Sequence, residues 1–139
     1  MVEAGTAAAV AVRVEHESGD RFRLSVRQHT LHLDQPEVDG GEDTAPTPTE
    51  LFIASLAACV GFYVHRFLSR HGHQVDGLAV TSEVEYATRP YRVSRISLGV
   101  SGVSHLPPEV QESLLSVAAR CTVHNSLRQP PEVSIAVSG

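Results

Sequence analysis

The chain has 139 residues, of which 42% are hydrophobic and 19% charged, so it can bury the core of one soluble domain without disulfide or metal staples. Its net charge of -5 and its lack of a basic cluster argue against nucleic acid as a partner, because such affinity comes mainly from neutralising phosphates. We find no apolar run long enough to span a bilayer, so we expect no membrane partner. An acidic residue, Glu3, stands where an export signal needs positive charge, and the expected location is therefore the cytoplasm.

The first part of the chain predicts three β-strands. Residues 9–16 and 21–29 alternate apolar and polar side chains, which is typical of strands with one face on a core. The four residues between them have the composition of a turn, so the two strands should form a hairpin. Residues 30–33 predict a short third strand. The acidic, Pro- and Gly-rich segment 34–46 is expected to be a solvated loop.

A long central helix is predicted over residues 47–72. Its start fits a capping box, with Thr47 as N-cap, Pro48 in the first position and Glu50 in the third. Its end has basic residues in the last turn and glycine beyond them. From Leu51 to Val64 it has almost no polar face, and a helix that is apolar all round should be buried on all sides.

The rest of the chain predicts two strands, a second helix and a last strand. The strands cover about residues 74–86 and 92–102, with a proline-containing turn between them. The second helix begins near Leu106 and keeps helical spacing through Leu127, before two prolines stop it. Alternating apolar residues in 133–137 predict the last strand. The order βββ-α-ββ-α-β indicates a single α+β domain over residues 1–139, with a sheet packed on two helices.

The two cysteines, Cys59 and Cys121, are both predicted to lie inside helices on buried faces. The simplest interpretation of each is a small core hydrophobe. As a pair they allow another interpretation, because the thiols could approach within bonding reach if the two helices touch. A reactive thiol needs a neighbouring cation, a hydrogen-bond donor or a helix N-terminus. Cys59 lies too far from the start of its predicted helix for the helix N-terminus to stabilise its thiolate.

Three other residue patterns could belong to a reactive or metal-binding site. His124 lies three residues after Cys121 and could share its helical face, although a surface or interfacial role is favoured. Glu50 is first of all a capping residue; its alternative role is a buried carboxylate that orients a cation near the thiol. No spacing of histidines and cysteines matches a zinc site, so we expect neither a metal nor a bound cofactor.

The motifs around the cysteines resemble those of the OsmC/Ohr family, the osmotically inducible and organic hydroperoxide resistance proteins. The resemblance rests on Pro46-Thr47-Pro48-Thr49-Glu50-Leu51 and on Ala54-Ser55-Leu56-Ala57-Ala58-Cys59. It also rests on Cys121-Thr122-Val123, in which Thr122 replaces the proline usual in the family's second cysteine motif. With the Gly40-Gly41 loop and the order of elements, it covers most of the chain.

The resemblance implies a thiol peroxidase that reduces organic hydroperoxides in oxidative stress defence. Cys59 would be the peroxidatic cysteine and Cys121 the resolving cysteine, joined in an intramolecular disulfide. Glu50 would match the active-site glutamate that holds an arginine against the thiolate. The reductant would be a dithiol or a lipoylated protein, with no bound cofactor. The implied fold is an intertwined α+β homodimer with both active sites at the interface.

The chain departs from the family in the position of the activating arginine. In the family it comes from the loop before the glutamate or from the first hairpin turn, whereas residues 34–46 contain no arginine. Arg21, beside the hairpin turn, is the nearest candidate, and Arg23 and Arg27 lie on the same strand face. This departure motivates an alternative function, a non-catalytic homodimer that binds a small apolar molecule in its interface pocket and has thiols inert to peroxide.

Overall fold

A computed structural model describes residues 11–139, which divide into two compact units. The first unit ends at Phe52, and the second comprises Ile53–Gly139. The elements are β1 (Val12–Ser18), β2 (Arg21–Val26), β3 (His29–Leu33), a short 3-10 helix (Glu37–Asp39), α1 (Pro48–Arg70), β4 (Ala79–Ala87), β5 (Arg92–Ser101), α2 (Pro108–Ala118) and α3 (Thr122–Arg128). The mixed α+β class is therefore confirmed, and the assignment of a single domain to residues 1–139 stays a prediction.

The first unit contains a three-stranded antiparallel sheet in the order β1-β2-β3. The register pairs Val14 with Leu24, and Leu24 in turn with Leu31, so the predicted alternation is confirmed: one face is apolar and the other polar. Within this unit the apolar face is partly open, since Val14 and Leu31 are exposed. Ala9 and Val10, predicted to begin the first strand, lie outside the described residues.

The helix α1 begins as predicted, in a reciprocal capping box. The backbone N–H of Glu50 donates to Thr47 Oγ1 at 3.0 Å, and the backbone N–H of Thr47 donates to Glu50 Oε1 at 2.9 Å. Two N–H groups that the helix itself leaves without acceptors are satisfied in this way. The helix ends at Arg70, and Gly72 follows with a φ of 74° that favours glycine.

The expectation that α1 is buried on all sides is wrong for the single chain. Its buried residues form one side only: Ile53, Leu56, Cys59, Val60, Tyr63, Val64 and Leu68. Ala54, Ser55 and Ala58 are exposed. The elements of the second unit cover a single side of the helix, although its composition would permit burial all round.

The expectation that no segment could span a bilayer is also corrected. By length and composition alone, the 23-residue helix α1 could cross a membrane. Core helices of soluble proteins pass the same test, and the buried side of α1 belongs to the hydrophobic core of the second unit. We therefore interpret α1 as a core helix.

The sheet of the second unit is the antiparallel hairpin β4–β5. It confirms the two predicted strands. The register pairs Val80 with Val100 and Val84 with Ile96, and of these residues Val80, Ile96 and Val100 pack on the core. Residues 74–78, expected to begin the first of these strands, precede β4. The structure has two separate sheets where one was predicted, because no described strand joins β1–β3 to β4–β5.

The C-terminal part of the chain differs most from the prediction. The expected second helix is two helices, α2 and α3, separated by a break before Thr122. The expected last strand is absent from residues 129–139, where Ile135 is 94% exposed and Val133 and Val137 are also exposed. Alternating apolar residues form a strand only when a neighbouring strand accepts their backbone hydrogen bonds, and the described chain presents none here.

Candidate active site

Cys59 lies on the buried side of α1 and is 6% exposed. It belongs to the hydrophobic core of the second unit, which also contains Cys121. The cluster comprises Leu56, Cys59, Val60, Tyr63, Val64, Leu68, Val103, Leu106, Leu114, Ala118 and Cys121. No disulfide joins the two cysteines. The structure therefore brings both thiols into one apolar environment, with their sulfurs reduced.

Cys121 is fully buried and is the N-cap of α3, so the prediction that it lies inside a helix is wrong. Its backbone is extended, with φ -68° and ψ 155°, which breaks the helical path. Its Sγ accepts a hydrogen bond from the backbone N–H of His124 at 3.4 Å, in the place where an N-cap usually offers an oxygen. This hydrogen bond holds the sulfur at the first turn of α3.

A hydrogen bond connects α1 to the start of α3 beside the cysteines. The hydroxyls of Tyr63 and Thr122 lie 2.9 Å apart. Tyr63 is four residues after Cys59, hence about one turn along the same side of α1, and Thr122 directly follows Cys121. This contact fixes the position of the Cys121 segment against the helix that carries Cys59.

An apolar cleft of about 240 Å³ opens next to the cysteine-bearing segments. Leu56 and Val60, on either side of Cys59 in sequence, line it from α1, and Ala118 and Ala119 line it from the end of α2. Strand β5 supplies further aliphatic walls, and His124 is the one titratable residue among the lining residues. A small apolar group fits such a surface.

A larger cleft, of about 520 Å³, lies at the C-terminal end of α1. Its lining is polar, with His65, His73 and Asp76 among the residues. Neither cysteine is among the residues that line the two clefts. We place the candidate site at the smaller one because Leu56 and Val60 flank Cys59 in sequence, whereas the larger one is lined by His65 and later residues. Within residues 11–139, no group of three or more histidine, cysteine or acidic side chains could hold a metal ion.

Two of the three candidate arginines of the first unit, Arg21 and Arg23, are engaged by other partners. Arg21 Nε donates to Glu17 Oε1 at 3.0 Å, and its Nη1 donates to Thr44 Oγ1 at 2.6 Å. Arg23 pairs with Glu15 at 3.1 Å. Arg27 occupies the turn after β2 with a φ of 51°. The role of any of them at a thiol stays a prediction.

Glu50 is held by the capping box, as its structural interpretation predicts. Among the ion pairs of residues 11–139, none joins Glu50 to an arginine. One carboxylate oxygen is used by Thr47, and the side chain is exposed. Glu50 therefore already caps α1, and its proposed role in orienting a cation would be a second one.

Asp34, in the first unit, is a buried carboxylate that accepts three hydrogen bonds. Sequence reasoning did not predict a role for it. It is 2% exposed, and its oxygens accept from the hydroxyl and the N–H of Thr44 and from the N–H of Gln35. Those hydrogen bonds, above all that of the Thr44 hydroxyl, lower the pKa of Asp34 from 3.8 to about 2. Arg21 donates to the same Thr44 hydroxyl oxygen, so the chain Arg21–Thr44–Asp34 ties β2 to the loop.

Comparison with known families gives a match over residues 40–136 to the OsmC-like proteins. The chain belongs to the OsmC-like protein family. The resemblance inferred from the two cysteine motifs is thus confirmed. Comparison with curated protein sequences gave no match.

Solved structures similar to this OsmC-like chain share its fold at low sequence identity. One, assigned to osmotic stress induction and detoxification response in Psychrobacter arcticus, is 21% identical, with a TM-score of 0.78 over 88% of this chain and 90% of that one. The organic hydroperoxide resistance protein OsmC of Legionella pneumophila is 23% identical, with a TM-score of 0.61 over 88% and 91%. A Vibrio cholerae protein assigned to organic hydroperoxide resistance, with captopril in one of its active sites, is 21% identical, with a TM-score of 0.68 over 93% and 90%.

Sequence reasoning missed two features near the cysteines of this OsmC-like chain: the Tyr63–Thr122 hydrogen bond and the N-cap role of Cys121. The role of Tyr63 could have been suspected from its offset of four residues from Cys59, which puts both on one side of a helix. Thr122 was noticed as a replacement for proline, but its hydroxyl partner depends on tertiary packing. The N-cap role of Cys121 could have been suspected from the helix-compatible Thr-Val-His that follows it.

Proposed function

We propose that this OsmC-like protein acts in peroxide or stress defence as a cysteine-based thiol peroxidase that reduces organic hydroperoxides. Cys59 is the peroxidatic cysteine and Cys121 the resolving cysteine. The observation that carries the proposal is that both thiols belong to one hydrophobic cluster of the second unit, with their two segments hydrogen-bonded through Tyr63 and Thr122.

The reaction balances without a bound cofactor. The Cys59 thiolate attacks the distal oxygen of the hydroperoxide, the O–O bond breaks, and the sulfur loses two electrons to form a sulfenic acid while an alcohol leaves after protonation. The Cys121 thiolate then attacks the Cys59 sulfur, so that an S–S bond forms and the S–O bond breaks with loss of water. An external dithiol or lipoyl group reduces the disulfide and is itself oxidised.

The surroundings of the cysteines favour an organic rather than a polar peroxide. The apolar cleft is lined by Leu56 and Val60 beside Cys59, and burial there rewards an alkyl or aryl substituent at roughly 25 cal/mol per Å². Hydrogen peroxide has no such group. Glu50 is proposed to orient a cation for the Cys59 thiolate, with Arg21, Arg23 and Arg27 as the candidates. A disulfide that must be reduced in every cycle fits the cytoplasm, where dithiol reductants are maintained.

The working protein is proposed to be a homodimer. Three apolar surfaces of the single chain support this: the open face of the first sheet, the exposed side of α1, and the residues 133–137 with their alternating apolar side chains. Exposed apolar surface of this extent is typical of an interface between subunits. Residues 133–137, which pair with no strand of the described chain, are suited to pair with a second copy.

Turnover with a defined reductant tests the function. We expect the reduced protein to consume cumene hydroperoxide when dihydrolipoamide is supplied, and Cys59→Ser to abolish the consumption. Ser104, an exposed residue of the second unit, provides a control as Ser104→Ala, which should keep full activity. A protein that consumes no hydroperoxide above the Cys59→Ser background would contradict the proposal.

A second function, non-catalytic binding of a small apolar molecule, is favoured by one observation. Arg21, the nearest candidate for activating the thiol, is engaged by Glu17 and Thr44. In that case the thiols would survive excess hydroperoxide, and an apolar ligand would raise the melting temperature through preferential binding to the folded state. Thiol titration before and after peroxide distinguishes the two functions.

A further inference from the structure

One contact between the two cysteine-bearing segments is polar, although Tyr63 belongs to a cluster of mostly apolar side chains. The hydroxyl of Tyr63, a residue only 8% exposed, meets the hydroxyl of Thr122 at 2.9 Å. The two residues are 59 positions apart, so tertiary packing alone brings them together. We call this contact the Tyr63–Thr122 clasp.

Each residue of the clasp is close in sequence to one of the two cysteines. Tyr63 is one helical turn beyond Cys59 on α1, and Thr122 is the residue directly after Cys121. The backbone of Cys121 is further fixed by its capping hydrogen bond with His124. Thr122 stands where the second cysteine motif usually has proline, which has no hydroxyl. The clasp is therefore a property of this chain and not of the motif.

We propose that the Tyr63–Thr122 clasp positions Cys121 for its attack on the oxidised Cys59 sulfur, so that both residues are positioning residues of the resolving step. The inference rests on the proposed function, since it needs a resolving step. Disulfide formation requires a narrow range of separations and dihedral angles. A hydrogen bond beside one cysteine, anchored one turn from the other, holds the Cys121 segment against the side of α1 that carries Cys59 and narrows the range of separations between the two sulfurs.

The first step does not need the clasp. Attack on the hydroperoxide involves the Cys59 sulfur and the peroxide oxygens, and neither hydroxyl of the clasp touches these atoms in the mechanism proposed above. The second step brings together atoms from α1 and from the start of α3, the two segments that the clasp connects. Loss of the clasp should therefore slow disulfide formation and leave sulfenic acid formation unchanged. A purely structural contact would not separate the two rates.

The test measures both rates in one experiment. The reduced protein is mixed with one equivalent of cumene hydroperoxide, quenched at intervals with a sulfenic-acid trap, and analysed by intact mass for sulfenic acid and disulfide. Tyr63→Phe removes one hydroxyl, Thr122→Val removes the other with little change of shape, and Thr122→Ser retains it. Tyr86→Phe, on an exposed tyrosine of β4, is the matched control.

We expect Tyr63→Phe and Thr122→Val each to slow disulfide formation about fivefold, the effect of one lost hydrogen bond. The double variant should be no slower than either single one, because a shared contact is lost only once. Thr122→Ser and Tyr86→Phe should match the wild type. Melting curves of each variant verify that it is folded.

The outcomes separate the inference from the function on which it rests. If the wild type forms disulfide and Tyr63→Phe forms it at the same or a higher rate, the clasp has no positioning role. If both rates fall equally in Tyr63→Phe and Thr122→Val, the contact acts on the whole fold and the inference is overturned. If the wild type forms neither sulfenic acid nor disulfide, the proposed function fails, and with it the step that the clasp would serve.

Discussion

The sulfur of Cys121 accepts a hydrogen bond from the backbone N–H of His124 at 3.4 Å, so one thiol both caps α3 and is the proposed resolving nucleophile. A capping role and a chemical role make different demands on a side chain. Any short acceptor can cap a helix, whereas only a thiol can convert a sulfenic acid into a disulfide. The two roles can therefore be separated by substitution.

Cys121→Ser should keep the cap and lose the chemistry. The serine hydroxyl accepts the same N–H, so we expect a stability close to that of the wild type, together with a sulfenic acid on Cys59 that persists after peroxide. Cys121→Ala should lose both and cost about 1 kcal/mol of unfolding free energy. Chemical denaturation and sulfenic-acid trapping measure the two effects. Equal stability of the serine and alanine variants would show that the cap contributes nothing.

The capping box of α1 allows the structural and electrostatic roles of Glu50 to be separated. Glu50→Gln can still accept from the N–H of Thr47, so we expect its unfolding free energy to stay within about 0.5 kcal/mol of the wild type. Thr47→Ala should cost about 1 kcal/mol, since the N–H of Glu50 loses its acceptor. If the carboxylate orients a cation for Cys59, Glu50→Gln should also slow sulfenic acid formation. An unchanged rate would leave Glu50 with a capping role alone.

Asp34 should make stability depend on acid pH. Because the folded state lowers its pKa from 3.8 to about 2, the ionised form is favoured by folding, and its contribution is complete above about pH 4. That contribution is lost as the pH falls from about 4 to about 2. We expect Asp34→Asn to be less stable than the wild type at pH 7, with the difference narrowing over that interval. Denaturation curves at several pH values measure it, and a difference independent of pH would contradict the assignment.

The C-terminal tail should be needed for dimerisation. Replacement of Val133, Ile135 and Val137 by serine removes the apolar alternation, and we expect the dimer to weaken or dissociate. Sedimentation velocity at several protein concentrations measures the oligomeric state. Glu132→Gln, a substitution in the same exposed segment that keeps the alternation, is the control and should remain dimeric. A wild-type chain that sediments as a monomer at all concentrations would refute the proposed dimer.

Local features were predictable from the sequence because neighbouring residues determine them. The capping box depends on Thr47 and Glu50, three residues apart, and the strand faces depend on a period of two that Leu24 and its partners follow. The family motifs likewise consist of short runs around Cys59 and Cys121. Each of these could be recognised without knowing what lies opposite in the fold.

The remaining features depend on distant parts of the chain or on a single backbone angle. The apolar spacing of residues 106–127 continues through the break at Cys121, so periodicity could not reveal it. The Tyr63–Thr122 contact joins residues from two helices, and no spacing predicts such a pair. The prediction of a last strand was wrong for another reason. The alternation of apolar residues in 133–137 is typical of a strand, but a strand needs a neighbouring strand, and the described chain offers none to these residues.

The central claim is that Cys59 and Cys121 form a redox pair, and intact mass spectrometry under denaturing, non-reducing conditions tests it most directly. After one equivalent of cumene hydroperoxide, the account predicts that the reduced protein loses two hydrogen atoms in mass and that both thiols become inaccessible to alkylation. Peptide mapping should then join the Cys59 and Cys121 peptides of one chain. An unchanged mass with both thiols still alkylated after excess peroxide would contradict the account.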